Sequence, residues 1–337
     1  MITPPADYCV GGVLSDQSYI NTYIGENFTY LLYFTAVSCK IISANNYVIS
    51  IEVDIMGRSD GKKLKHLDVE YLVAAHVMDK RTDAMNMIHL DIPVEPMRRY
   101  MNQKRKEGKR YNHLTLIIAA MVRAMSQYPA LNRFVVNKRI YARNELAVGM
   151  VVLKDGKITE VGTTSKMKFD PSNTIDEVNE IINAYVEKNR SQDEVNSTDK
   201  LANTLCSIPG LLRVAANVVK FLDKHNMCPK AVIEASPFHC TVMLTNLASI
   251  KTNYIYHHIY EFGTVSLSLA MGNLRDVPVM KKGELISQRC LPIGLVMDER
   301  IASGAYFAMA FRQFSKYLED PSVLELPPEK VVEDYGL

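Results

Sequence analysis

Eight histidines, at positions 66, 76, 89, 113, 225, 239, 257 and 258, are the side chains of this 337-residue sequence best suited to take up and release protons near neutral pH. Three of them gather in SPFHCTVMLTNLASIKTNYIYHHIYEFG, the richest polar stretch of the chain. An imidazole there can act as a general base if an acceptor proton comes within reach. His257 and His258 are adjacent, so on a strand they face opposite sides and at most one enters a common cavity. His239 follows Pro237 and Phe238 at a strand start and also suits a structural cap. Six cysteines stand at 9, 39, 206, 228, 240 and 290 with no CxxC pair. The grouping His225, Cys228, His239 and Cys240 fits no common zinc spacing, so no metal is expected. No GxGxxG follows a strand, and GxxxxGK[ST], HExxH and GxSxG are missing, which argues against a nucleotide fold, a zincin and an α/β-hydrolase.

The elements that must position these groups alternate between helix and strand. A helix is expected over 67–80. MNMIHLDIPV alternates with period two and puts Met87, His89 and Asp91 on one face. A basic helix, MRRYMNQKRKEG, follows Pro96 and ends at Gly108. LTLIIAAMVRAMSQYP is apolar on nearly every side, so it reads as a buried central helix stopped by Pro129. RFVVNKRIYARN reads as two strands about a tight turn at Asn137-Lys138, and LAVGMVVL as a strand covered on both faces. Residues 174–189 form an amphipathic helix, 190–200 a polar link, and the next 27 residues, LANTLCSIPGLLRVAANVVKFLDKHNM, a helix pair broken at Pro-Gly. CTVMLTNL, TVSLSLAM and LPIGLVM supply three strands. The last helix carries Phe307, Phe311, Phe314 and Leu318 on one face.

With 39 basic against 37 acidic side chains the net charge is only +2, so no nucleic-acid partner is expected. The apolar fraction of 47% and charged fraction of 23% are those of a globular chain. No Lys or Arg precedes Lys40, as a secretory signal would require, and the apolar stretch 28–39 is shorter than the ~20 residues of a membrane span. Scattered, reduced cysteines then make a cytoplasmic protein with no membrane partner the expectation. Residues 1–55 are expected to be an N-terminal extension, 56–325 the working domain, and 326–337 a tail.

From NHLTLIIAAMVRAMSQYPALNRFVVNKRIYARNELAVGMVVLKDG onward the sequence resembles the chloramphenicol acetyltransferase-like family, and more closely the catalytic domain of the 2-oxoacid dehydrogenase acyltransferases. Pro129 to Asn132 match that family's P-x-L-N corner. CTVMLTNLAS is similar to its FTISNLG strand. LVMDERIASG is similar to its DHRxxDG, and the closing helix and LEDP of this chain resemble the family's own. The resemblance spans roughly residues 65–321. It implies an α/β two-layer sandwich, a mixed sheet with packed helices, assembled as a homotrimer. It also implies an acyl group passed from acyl-CoA, or a lipoyl or carrier thioester, to a thiol or hydroxyl acceptor. The coenzyme A thioester is then a substrate, and the site lies at a subunit boundary. Thr245 falls where a hydroxyl donates to the tetrahedral oxyanion. Asn246 beside it, His239 and Ser303 are the implied substrate-binding residues. The basic helix 98–109 either holds coenzyme A phosphates or is a solvated face.

The departure comes at the base. Glu299 stands where the family has histidine, and Ser303 where it has the aspartate of DG, while Asp298, Arg300 and Gly304 are kept. Two expectations follow. Either another base acts, with His257, His258, His239 or Glu299 itself as candidates, or the fold is kept by a structural or regulatory subunit that has lost the reaction. Residues 1–55 show no lipoyl-type lysine turn, so a free-standing acyltransferase is expected rather than a complete dehydrogenase-complex core.

Overall fold

The computed structural model describes residues 20–23, 29–32, 58–153, 162–190, 207 and 210–335. Residues 1–56 and 57–337 form two separate units. The first holds one described antiparallel pair, β1 (Ile20–Tyr23) with β2 (Thr29–Leu32). The polar link expected at 191–200, the helix expected just before Pro209, and Cys9, Cys39 and Cys206 lie outside the described residues. Every candidate site residue belongs to the second unit.

The described elements of this second unit run β3 (Gly61–Lys63), α1 (Val69–Val77), β4 (Met85–Pro93), α2 (Val94–Lys106), α3 (His113–Gln127), β5 (Arg133–Val136), β6 (Arg139–Arg143), β7 (Leu146–Leu153), β8 (Gly162–Phe169), α4 (Ile175–Arg190), α5 (Leu211–Lys224), α6 (Lys230–Ala235), β9 (Val242–Asn246), β10 (Leu267–Met271), β11 (Arg275–Lys281), β12 (Glu284–Asp298) and α7 (Gly304–Glu319). Local chemistry explains several boundaries. The Asn112 side chain accepts from Thr115 N at 2.9 Å and caps α3. Thr174 and Glu177 form a reciprocal capping box ahead of α4. Asn137 and Lys138 both take positive φ, 48° and 62°, in the two-residue turn between β5 and β6. α2 begins at Val94 rather than after Pro96, because a proline in the first turn removes no intrahelical hydrogen bond.

The architecture is mixed α/β, with helices packed on a mixed sheet. β4, β12, β10, β9, β7 and β8 are hydrogen-bonded in that order, and β11 pairs the first half of β12. β9 runs parallel to β10 and β7, and the other pairs are antiparallel. One face is covered by α2, α3, α4 and α7. Side chains alternate along each strand, so Leu244, Leu267, Leu269, Ile293 and Leu295 enter the large core with Ile117, Phe307, Phe311 and Phe314. Helix α3 is the centre of that core, buried from Thr115 to Ser126. Each large apolar side chain so buried contributes about 1.5–3 kcal/mol.

The opposite face of the sheet meets a segment without regular structure, residues 252–263, which crosses it as a strap. Ile259 and Val265 join Met243, Val296 and Ala147 in a second, smaller core. Two glycines let the strap lie on bare backbone. A Cβ at Gly272 would stand 2.2 Å from Tyr254 N, and one at Gly294 2.3 Å from Ile255 O. Tyr254 stacks on His89 at 5.8 Å, and Arg275, paired with Asp91 at 2.9 Å, lies over the same ring.

The C-terminal residues to Tyr335 run back over the helical layer. Asp334 pairs with Arg133 at 2.6 Å, and Val332 N donates to Ser126 O. Replacing Gly294 by alanine should lift the strap and cost about 1–3 kcal/mol, the usual penalty for overfilling a packed contact. Urea denaturation measures it. A loss below a few tenths of a kcal/mol would show that the strap does not rest on this strand.

Candidate active site

The turn after β12 is built by charge. Asp298, fully buried, receives two side-chain hydrogen bonds from Arg300, Nε at 2.8 Å and Nη2 at 2.7 Å, and a third from Arg300 N at 3.1 Å. Arg81 comes to 3.9 Å from the same carboxylate. Its Nη1 donates to Glu261 O and its Nη2 to Val135 O, both at 2.8 Å. Burial pushes the Arg81 guanidinium's pKa down, and Asp298 opposes that shift. The carboxylate therefore ties together the end of β12, the strap and β5. Between these ion-paired residues stands Glu299. Its backbone N donates to Ala84 O at 2.9 Å, and its half-buried carboxylate accepts from the Asn86 side-chain amide through Oε2.

Thr245 sits near the far end of β9, half-buried, on the strap face with Met243. Register places it level with Ala270, and Ala270 level with Gly294. Glu299 lies five residues beyond Gly294. At about 3.4 Å per residue the two groups are separated by about 17 Å along the sheet. Within one chain they do not meet. Asn246, beside Thr245, keeps a buried Oδ1 without a hydrogen-bond partner among the described residues.

The histidines divide. His257 and His258 ride on the strap. Since that segment is not a strand, their rings do not point to opposite sides; they stack on each other at 4.8 Å, and both touch Tyr260. His257 Nδ1 lies 2.9 Å from His258 O, and His258 is exposed. His239 is buried at the other end of β9. Its Nδ1 meets Ser236 Oγ at 2.8 Å, and its Nε2 lies 3.3 Å from Asp223 Oδ1 without hydrogen-bond alignment. The recess beside it holds about 20 Å³, room for a water molecule but not for a larger acceptor. Burial pushes the His239 pKa down, with Asp223 acting against it. Ser303 is occupied as the N-cap of α7, its Oγ accepting from Tyr306 N at 3.3 Å.

Asp223 belongs to a buried ionic cluster that no local pattern marked. Arg58 donates to Asp60 at 2.8 Å and to Asp223 at 2.7 Å, and Arg143 stands 3.9 Å from Asp60. Burial pushes the Asp223 carboxyl up, but His239 and Arg58 outweigh it and hold its pKa down to about 2. In the basic helix, Lys104 is taken up by Glu107 and Glu325, at 2.8 and 2.7 Å, and Lys109 by Asp176. Among the described residues, no three His, Cys, Asp or Glu side chains converge as metal ligands. Asn86 and Arg81, which hold Glu299 and its turn, were also missed. They lie more than 200 residues away in the chain, where periodicity carries no signal.

Two outcomes test these charges. Asp298→Asn should cost about 3–5 kcal/mol in chemical denaturation, because two buried guanidiniums lose their counter-ion; a cost under 1 kcal/mol would show that the turn is held otherwise. The Asp223 carboxyl, whose folded pKa lies below its unfolded value, adds stability above about pH 4 that is lost as pH falls toward 2. The loss is on the order of 2 kcal/mol, and Asp223→Asn should flatten that part of the stability–pH profile. An unchanged slope would overturn the assignment.

Comparison with known proteins bears on the same stretch. Residues 239–326 match the family model described as 2-oxoacid dehydrogenases acyltransferase (catalytic domain). No curated protein matches the chain. Among solved structures, a probable dihydrolipoamide acetyltransferase from Listeria monocytogenes is 12% identical over 77% of this chain and 94% of its own, with a TM-score of 0.49. The cubic core of the pyruvate dehydrogenase multienzyme complex is 12% identical over 83% of this chain and 100% of its own, with a TM-score of 0.46. A chloramphenicol acetyltransferase is 10% identical over 76% and 99%, with a TM-score of 0.46. Over residues 239–326, which include Thr245, His257, His258 and Glu299, the chain is thus similar to the catalytic domain of the 2-oxoacid dehydrogenase acyltransferases.

Proposed function

We propose that the chain is an acyltransferase that moves an acyl group from acyl-CoA, or a lipoyl or carrier thioester, to a thiol or hydroxyl acceptor, with Glu299 as the base. The observation that carries this reading is the Asp298–Arg300 ion pair, which still presents residue 299 on a rigid turn. Asn86 takes one carboxylate oxygen and orients the other. Glu299 draws the proton from the acceptor as its sulfur or oxygen attacks the thioester carbonyl. The Thr245 hydroxyl donates to the tetrahedral oxyanion, and collapse expels the coenzyme A thiolate, which takes up the proton. In this reading, Thr245 and Glu299, about 17 Å apart along one sheet, meet across the boundary between two copies of a homotrimer. The free thiols Cys228, Cys240 and Cys290 suit a reducing, cytoplasmic setting.

A carboxylate is a weaker base than an imidazole at neutral pH, so turnover should be slow. With acetyl-CoA and a dithiol as probes, Glu299→Gln should lower the rate about 100-fold. Thr245→Val should do the same within a factor of ten, and Glu299→His should raise the rate at least tenfold. Loss of activity in His257→Ala or His258→Ala with Glu299→Gln unaffected would move the base to the strap. Background rates in the wild type and in Glu299→His alike would favour a non-catalytic subunit, the reading to which the capping role of Ser303 and the burial of His239 lend themselves.

A further inference from the structure

Helix α5 carries two exposed stripes. Val214, Val218 and Phe221, spaced i, i+4, i+7, are 60%, 50% and 56% exposed. At 100° per residue they form one ridge. Arg213, Asn217, Lys220 and Lys224 form a second, exposed ridge on the next face. The helix has one carboxylate, Asp223, and it is buried against Arg58. The outer surface of α5 is therefore apolar along one line and, along the next, carries three cations and no carboxylate. Lys220 and Lys224 also line a recess of about 540 Å³ together with Lys80 and Lys138 and the carboxylates of Asp79 and Glu261. Of these four lysines only Lys138 has an ion-pair partner among the described residues, Asp79 at 2.8 Å.

We infer that α5 is a peripheral docking element for a membrane surface rich in anionic lipid. Valine and phenylalanine side chains would enter the acyl boundary, and Arg213, Lys220 and Lys224 would lie against headgroup phosphates. An apolar ridge beside a cationic ridge is what an interfacial helix needs. A second copy of the chain fits poorly, since two such faces would bring like charges together. A protein partner would have to gain specific affinity from three apolar side chains and the cationic ridge beside them, where a stable interface takes about 20–30 residues a side. A lipid surface asks for neither shape complementarity nor a large footprint. No helix among the described residues is long and apolar enough to cross a membrane, and lying on one is a separate requirement that α5 meets.

The test is vesicle co-sedimentation of the full chain, with phosphatidylcholine vesicles and with mixed phosphatidylcholine–phosphatidylserine vesicles. Binding is expected to the mixed vesicles only and to weaken with added salt. Lys220→Ala and Lys224→Ala should each reduce affinity about fivefold, the equivalent of ~1 kcal/mol per cation near an anionic surface. Phe221→Ser should reduce it at least as much. These side chains are exposed, so unchanged thermal melting verifies that the variants fold. Absence of binding to mixed vesicles, or equal binding to both kinds, would overturn the proposal. So would a wild-type dimer in size-exclusion chromatography that Val218→Asp converts to a monomer.

Discussion

The fully buried Asp298 carboxylate, held by Arg300 and approached by Arg81, is the constraint on which the candidate site depends. A buried charge is tolerable only when its partners are fixed, and here the partners are fixed by backbone carbonyls of other segments: Met78, Val135 and Glu261. The turn after β12 is thereby locked to the approach to β4, to the hairpin strand β5 and to the strap. Whatever side chain occupies position 299 inherits that geometry. The Glu299 carboxylate is oriented by that scaffold together with the Asn86 amide.

The strap is the second organising feature. It crosses strands β10 and β12 where Gly272 and Gly294 leave no side chain in the way, and Tyr254 is clamped between His89 and Arg275. The strap carries two of the three histidines of the polar cluster, and their rings stack on each other beside Tyr260, while His239 is buried against Ser236 and Asp223. Clustering in sequence reflected passage along one segment; it did not bring the rings to one point.

Strong periodicity was readable. The run of apolar residues in α3, the alternation in β4, the Asn137-Lys138 turn and the aromatic stripe of α7 all appear where the sequence placed them, because each is a local consequence of side-chain spacing. Strand β11 and the first half of β12 were missed. Their polar alternation, RDVPVMK and ELISQRC, gives a half-exposed ribbon with no apolar run to mark it. The candidate residues 245, 257, 258 and 299 could be named from the sequence, but their spacing could not. Separations across a sheet depend on register, and register is set by contacts such as Asn86 with Glu299 that link residues 213 positions apart. The buried cluster of Arg58, Asp60, Asp223 and His239 is equally non-local; the sequence singled out His239 alone, and nothing local marked its three charged partners.

The length of β12 has one more consequence. Its last nine residues are flanked by β4 on one side and, in part, by β10 on the other. Residues 284–289 pair with β11 alone among the described residues. That stretch leaves a run of backbone amides and carbonyls open, a template onto which a stray strand could add. Lys281, Lys282, Glu284 and Arg289 crowd the ribbon with charges of both signs, and a two-residue turn at positive φ twists its tip. The projecting hairpin is thus guarded against uncontrolled fibre growth by the polarity that hid it from a hydrophobic pattern.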